Sequence, residues 1–552
     1  MKLLPLAFSA LAAALLAGCT TAPPPAPVPT EPVRVRLLAL NDYHGNLKAL
    51  PNALRVPDPA NPGRTVAVPT GGADQLATLL AQQREGQPNT VFVAAGDLVG
   101  ATPLLSSAFH DEPTIEAMNL LGLEASALGN HELDRGPAEA LRRQKGGCHP
   151  KDGCTGPKPY AGAKFQYLAA NTIVTATGQT LFPSTWVKRF GNVSVGFIGI
   201  ALTATPTVVT PAGVAGLKFG DEADAINRVV PELRQQGVEA IVVLMHEGGI
   251  PSGDINDCGV SPALVDLVKR MDKAVDVVIS GHTHRAYNCS IDGRIVTSAQ
   301  SYGTLLTRVD LAVDPRTRDV VKAEAQNLVV RNDLPRDPAM SALIASYEDR
   351  LAPVAGRVVG TLAAPFSTRL NDDGASDLGQ LIADAQLAAT RGVGAQVALM
   401  NQGGVRAPLG GADKLTVTYA DVFSVQPFAN QLVTMTLSGA QLKRVLERQG
   451  FDARRSFLFV SKGFSYRWDP KRPAGDKVLA DSLVLDGKPV LPEQKIRVTV
   501  NSFVAEGGDS FSDLRQGADR VVGIVDVEAL EQYVAANPGL KPDTAPRVQR
   551  VN

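Results

Sequence analysis

The sequence predicts an α/β protein of two domains joined by a helical linker. Length is the first support, because 552 residues exceed what a single hydrophobic core organises. The second is a series of short Val-, Ile- and Leu-rich segments between residues 33 and 325 that alternate with amphipathic stretches, the pattern of buried strands and covering helices. The third is the placement of polar motifs: five of the seven histidines directly follow such apolar segments, where the loops of an α/β sheet converge on ligands. Apolar content of 44% and charged content of 20% are those of an ordinary globular chain. A net charge of −1 gives no global field for nucleic acid, so no nucleic-acid polymer is expected as a partner, and an anionic substrate must be attracted by local charge.

Along the chain, MKLLPLAFSALAAALLAGC has an early Lys, an apolar stretch and small residues before Cys19, and reads as a secretory leader over residues 1–18. LAGC resembles the lipobox of bacterial lipoproteins, in which the Cys is lipidated. On that reading Cys19 anchors the chain to a membrane through the Pro-rich tether of residues 19–32, on the periplasmic face of an outer membrane or at the cell surface. No later segment is long and uncharged enough to suggest a transmembrane helix. Four cysteines remain, and four permit three connectivities. Cys148 and Cys154 flank a short loop, CHPKDGC, which favours them as the local pair and leaves Cys258 with Cys289; a zinc knuckle is the rival, though the spacing fits none well.

The first domain is expected over residues 33–330, with strands VRVRLLAL, TVFVAA, FQYLAA, VSVGFIGI, AIVVLM, VDVVIS and RIVTS and a helix at EPTIEAMNLLG. Residues 331–355 form the linker, helical in DLPRDPAMSALIASYEDRLAPV. A second domain, 356–552, opens with the helix DLGQLIADAQLAATRG, ending at Gly392.

The chemistry lies in the strand-end loops. NDYHGN follows the first strand, GD follows TVFVAA, GNHELD follows a short ASAL run, HEGG follows AIVVLM, and GHTH follows VDVVIS. They carry His44, His131, His246, His282 and His284. A single histidine at a strand end is usually structural; five beside Asp, Asn or Gly point to a metal site. Asp and His together suit zinc, manganese, iron or cobalt. In an extended Asp42-Tyr43-His44 the two ligand side chains share one face. Two metals commonly share one carboxylate, and Asp97 is placed to bridge them.

The ordered set DxH, GD, GNHE, H and GHxH resembles the signature of calcineurin-like metallophosphoesterases. GNHELD together with the second domain resembles the bacterial 5′-nucleotidase/UDP-sugar hydrolase family over nearly all of the chain beyond the tether. The resemblance implies a four-layer αββα metallophosphoesterase domain, the helical linker, and an α+β substrate-binding domain. It also implies two divalent ions, one on Asp42, His44 and His284, the other on Asn130, His246 and His282, with Asp97 between them. Some members have Gln where this chain has His284, a change that strengthens the first site because imidazole binds such ions better than a neutral amide. His131 and Asp134 correspond to the family's catalytic dyad, in which the carboxylate favours a protonated imidazole able to stabilise charge on the phosphoryl oxygens.

In the second domain NQGGVR offers Gly backbone and the planar fork of Arg406, while QPFAN and NSFVAEGGDSF each place a Phe among turn residues. One such Phe is more often core than ligand contact. The resemblance assigns Phe428 and Phe503 to a nucleobase clamp, Asn430 and Asp509 to base or ribose, and Asn401 and Arg406 to the phosphate end. Family members carry further phosphate-binding arginines before the domain's first helix; here Arg369 stands alone there, at a different spacing and followed by acidic residues. The implied activity is hydrolysis of nucleoside 5′-monophosphates, with UDP-sugars as further substrates, by attack of a metal-activated water. Three other readings stay open: a 2′,3′-cyclic phosphodiesterase/3′-nucleotidase, a thiosulfohydrolase (disfavoured by the paired Phe residues), and a non-catalytic nucleoside-binding surface lipoprotein.

Overall fold

The computed structural model describes residues 31–552 except 59–60, 62–63, 429 and 452–455, so the leader and Cys19 lie outside the described residues. Two six-stranded sheets dominate the first half. One runs in the order Val320–Val329, Leu305–Val313, Val33–Leu40, Thr90–Ala94, Ala125–Ala127, Gln166–Leu168; the other runs Ala286–Ile291, Arg294–Ala299, Val275–Ser280, Ala240–Met245, Val193–Ile200, Thr185–Phe190. The central strands of each are parallel. They are the continuous apolar runs of the sequence, as expected where both faces are covered.

The two sheets pack on each other through Val35, Leu37, Val91 and Val93 of the first and Phe197, Val242, Leu244 and Val277 of the second. Each of these side chains contributes about 1.5–3 kcal/mol through burial. On the outer face of the first sheet, Leu76 and Leu80 of helix Ala73–Arg84 and Ile115 and Met118 of helix Glu112–Leu121 meet Leu38 and Phe92. On the outer face of the second, Ile226, Val230 and Leu233 of helix Glu222–Gln235 and Leu264 and Val268 of helix Pro262–Arg270 meet Ile241, Val243 and Val278. The layers are therefore helix, sheet, sheet, helix.

The strands absent from the sequence expectation lie toward the sheet margins. Leu305–Val313 and Val320–Val329 are antiparallel; the first alternates buried with half-buried side chains, and the second half-buried with exposed ones over much of its length. VVKAEAQNLV is thereby too polar to read as a strand core. FQYLAA contributes strand geometry only over Gln166–Leu168.

The linker helix spans Pro338–Ala355, capped by Asp337, whose side chain accepts from Met340 N–H at 2.8 Å. It is packed along its length rather than free: Met340, Ile344, Tyr347 and Leu351 are buried, and the Tyr347 ring meets Phe109 edge-on at 4.9 Å. The second domain is built on a five-stranded sheet, in the order Leu458–Val460, Val397–Asn401, Lys495–Asn501, Gln431–Ser438, Ala518–Val525. Its first helix, Asp377–Thr390, is capped by Ser376 Oγ, which accepts from Gly379 N–H at 3.0 Å. The helix stops two residues before Gly392, because Arg391–Val393 tighten into a 3₁₀ turn. The cysteines are paired Cys148–Cys154 and Cys258–Cys289, with Cα separations of 4.6 and 4.7 Å.

Candidate metal centre and nucleotide cleft

Loops from both sheets meet at the carboxyl ends of their parallel strands. Asp42 and His44 follow Leu40, Asp97 follows Ala94, Asn130 and His131 follow Ala127, His246 follows Met245, and His282 and His284 follow Ser280. Five of these residues, Asp42, His44, Asp97, His282 and His284, hold left-handed backbone with φ between 46° and 69°. Such conformations cost about 1 kcal/mol or more each and persist only where the surroundings impose them.

The restraints are visible. His282 N–H donates to both Asp42 oxygens at 3.0 Å, and Asn41 Nδ2 donates to Asp42 Oδ2 at 2.6 Å. His131 N–H donates to Asp97 Oδ1 at 2.9 Å. Glu132, which sits inside the GNHELD motif with no local pattern to mark it, is buried and ties two loops together. Its oxygens accept from Gly129 N–H at 2.8 Å, Leu98 N–H at 2.8 Å and Asp97 N–H at 3.1 Å. Gly129 is required beside it, since a Cβ there would lie 2.2 Å from Asp97 Oδ1.

The ligand atoms fall into two groups, Asp42–His44–His284 and Asp97–His246–His282, each within 4.8 Å. His44 Nδ1–H donates to Gly100 O at 2.8 Å, so its Nε2 presents a lone pair toward His284 Nε2, 3.1 Å away. His246 Nδ1–H donates to Ala95 O at 2.8 Å, leaving Nε2 facing Asp97 Oδ2 at 3.0 Å and Asn130 Oδ1 at 3.1 Å. Asn130 Oδ1 also lies 3.1 Å from His282 Nδ1. Each of these pairs can share one proton, and when the ring nitrogens give up that proton the carboxylate, imidazole and amide set suits a divalent ion of borderline softness. Asp97 Oδ2, 3.0 Å from His246 and 3.7 Å from His44, is the atom that reaches both groups. The donor set therefore fits two divalent ions.

Burial holds the His44 and His282 imidazoles down to about 3, in the neutral form a metal needs. Burial also pulls on His246, but Asp97 outweighs it and pushes that imidazole up to about 10. Burial raises the Asp42 carboxyl above its usual range. In the metal-free protein these groups hold protons where metals go. Metal loading at pH 6 is thus expected to release protons, and affinity to rise with pH, since His246 and Asp42 must both deprotonate. Calorimetry of zinc or manganese binding in buffers of differing ionisation enthalpy reads the proton count directly; zero net release would place the metals elsewhere.

His131 Nδ1 lies 2.8 Å from Asp134 Oδ2. Burial lowers the imidazole's affinity for a proton, but the charges of Asp134 and Asp97 more than offset it, and the pKa is raised. On its other side the ring stacks on Phe428 at 5.9 Å.

Phe428 belongs to the second domain, so the dyad sits where the two domains meet. The cleft there, open to solvent, is lined from one side by Asp97, Asn130, His131, Asp134, His282 and His284. From the other side Asn401, Arg406, Phe428, Asn430, Phe503 and Asp509 line it. Asn401 Nδ2 donates to Asp509 Oδ2 at 2.7 Å, and Asn501, a further residue of the cleft that no sequence motif marks, donates to Asn401 Oδ1 at 2.8 Å. Arg406 lies over the Phe428 ring at 5.7 Å. Phe503 is half-buried, with its ring against Gly508. Arg369 is not part of this lining. It is exposed, and only its neighbour Thr368 reaches an adjoining pocket, with Tyr302, Arg406 and Asp509. The acidic loop that follows it turns on itself, Asn371 Oδ1 accepting from Asp373 and Ala375 N–H.

A four-layer α/β/β/α domain with two His/Asp clusters at its strand ends defines a metallophosphoesterase domain, here facing a second domain across an aromatic-lined cleft. Residues 35–286 match the calcineurin-like phosphoesterase family, and residues 358–516 match the 5′-nucleotidase C-terminal domain. The chain belongs to the 5′-nucleotidase family of metallophosphoesterases. It is 32% identical to the endonuclease YhcR of Bacillus subtilis over 92% of this chain, but spans only 40% of that relative's length. It is 30% identical to the cell wall protein Lmo0130 of Listeria monocytogenes, covering 91% of this chain and 67% of that protein. The structure of a 5′-nucleotidase precursor from Thermus thermophilus superposes with a TM-score of 0.76 at 26% identity, over 94% of this chain and 100% of that one.

Proposed function

We propose that this chain is an exported, lipid-anchored phosphohydrolase that removes phosphate from nucleoside 5′-monophosphates and also cleaves UDP-sugars. The observation that carries the reading is the meeting of a complete dimetal donor set with two partly exposed phenylalanines across one cleft. Two divalent ions bound at the donor set would supply an activated water and positive charge at the phosphoryl oxygens. The chain's own residues do the rest. Phe428 and Phe503 hold the nucleobase, Asn430 and Asp509 meet base or ribose, and Arg406 and Asn401 receive the phosphate end. His131, kept protonated by Asp134, stabilises charge on the phosphoryl oxygens or hands its proton to the leaving 5′-oxygen. Cys19 as the anchor and an extracytoplasmic location are supported by the leader sequence and by the two disulfides.

A base clamp distinguishes a nucleotidase from a general phosphatase. Phe503→Ala is expected to lower kcat/KM for AMP by roughly 5- to 150-fold, the value of about 1–3 kcal/mol for one aromatic stack. p-Nitrophenyl phosphate, with no nucleobase, should be affected far less. Equal losses on both substrates would make the ring core packing and remove the nucleotide reading's main support outside the metal domain. The name of the Bacillus relative favours a second reading, hydrolysis of phosphodiesters in nucleic acid or cyclic nucleotides. A panel of AMP, 3′-AMP, 2′,3′-cyclic AMP, UDP-glucose and single-stranded DNA, run with added manganese or zinc, separates the two.

A further inference from the structure

Two of the seven histidines, His110 and His149, stand apart from the strand-end loops, and the fold brings them together. Their rings stack with centroids 3.8 Å apart and planes 9° from parallel. One carboxylate oxygen, Asp152 Oδ2, faces both, 3.0 Å from His110 Nε2 and 3.1 Å from His149 Nδ1. The three ligand atoms all lie within 4.8 Å of one another. An ion bound at about 2.0–2.2 Å sets neighbouring atoms of a tetrahedron about 3.4 Å apart, so a slight opening of the cluster admits one.

The ligands come from two restrained segments. His149 and Asp152 belong to the loop closed by Cys148–Cys154, where His149 and Gly153 exchange backbone hydrogen bonds of 3.1 and 2.9 Å. His110 lies just before helix Glu112–Leu121, in left-handed backbone with φ 56°. Its neighbour Asp111, at φ 66°, is fixed by Arg143 at 3.0 Å, by Thr102 Oγ1 at 2.5 Å and by Ser106 Oγ at 3.1 Å. Two consecutive residues in this conformation persist only where such contacts impose it. Burial, with His149 and Arg135 adding to it, holds the His110 imidazole down to about 4, so the ring is neutral at neutral pH. His110 is buried, His149 half-buried and Asp152 exposed, which leaves one side of the cluster open to solvent.

We infer that His110, His149 and Asp152 form a further divalent-metal site, sharing no residue with the dimetal centre, that takes zinc and ties the disulfide loop to the turn before helix Glu112–Leu121. Two imidazoles and one carboxylate are a zinc ligand set, and the open side leaves a position for water. One contact competes with the ion. Arg135 Nη1 donates to His110 Nδ1 at 2.8 Å, which places the ring hydrogen on Nε2, toward Asp152. Ligation needs the other tautomer, with the hydrogen on Nδ1, so Arg135 must withdraw. Its side chain is exposed and has solvent to withdraw into. The site therefore fills after the dimetal centre and exchanges its ion with the medium, so it is read at equilibrium and not after gel filtration.

The test is equilibrium dialysis of the manganese-loaded full chain against rising zinc, with manganese and zinc counted together so that exchange at the dimetal centre does not alter the total. The wild-type total is expected to rise from about two to about three ions per chain. His149→Ala and Asp152→Asn should each stay at about two, and the two ions they keep show that the variants are folded. Arg135→Ala should half-fill the third site at about 10-fold lower zinc, because no charged donor then has to leave His110. A wild-type total that stays at about two overturns the site. So does a third ion that survives in both His149→Ala and Asp152→Asn, since other groups would then hold it. An unchanged midpoint in Arg135→Ala overturns it as well, because His110 Nε2 would not be a ligand.

Discussion

Replacing His131 by alanine is expected to lower kcat by about 10²- to 10⁴-fold while metal content stays at about two ions per chain. The geometry makes this a sharp test. The His131 ring lies edge-on to His44 at 5.1 Å, and its donor atom falls within 4.8 Å of those of His44 and Asp97, close enough for ligation to be a real competitor. What separates the two roles is the other end of the ring. Nδ1 is committed to Asp134 at 2.8 Å, and the surrounding carboxylates favour the imidazolium, which has no lone pair to give a metal. A charge-stabilising group removed from the transition state lowers kcat without stripping ions. Parallel measurement of turnover and of bound metal after gel filtration decides the matter. Loss of an ion in proportion to activity would make His131 a ligand. The Asp134→Asn variant adds a control: it keeps the shape but removes the charge that keeps His131 protonated, so its rate should fall in the same direction with metal retained.

The metal loops were legible in the sequence because their chemistry is concentrated. Five of seven histidines follow buried apolar strands, and the parallel strands of a covered sheet are continuous apolar runs that the eye finds easily. The marginal strands were not, since VVKAEAQNLV buries one face only and its polar half masks the alternation. Nor was Glu132 readable as a tie. A carboxylate that accepts three backbone N–H groups from loops more than thirty residues apart has no local pattern, although its place inside GNHE was the available signal. Arg369 shows the reverse case, a residue type suited to phosphate that is exposed and does not line the cleft.

Asp97→Asn should have the largest effect of any single substitution: loss of both metals together and a fall in turnover of at least about 10⁴-fold, because the ions supply both the nucleophile and the charge at phosphorus. The argument starts from one oxygen atom. Asp97 Oδ2 faces His246 Nε2 at 3.0 Å and His44 Nε2 at 3.7 Å, and Oδ1 accepts the His131 backbone N–H at 2.9 Å, so the carboxylate touches both ligand groups and the dyad loop at once. Burial opposes its ionisation, yet the His246 and His131 charges outweigh that and hold it well below the usual carboxylate range. The amide of Asn keeps the size and one acceptor oxygen but not the charge that two adjacent cations require between them. A folded variant can be recognised through its heat stability. The wild-type protein should lose several degrees of Tm on adding EDTA, because its metals bind only the native state, whereas the variant should start near the chelated value and not respond. Retention of one tightly bound ion, with turnover reduced by less than about 10²-fold, would show that the two groups act independently and that Asp97 serves one ion alone.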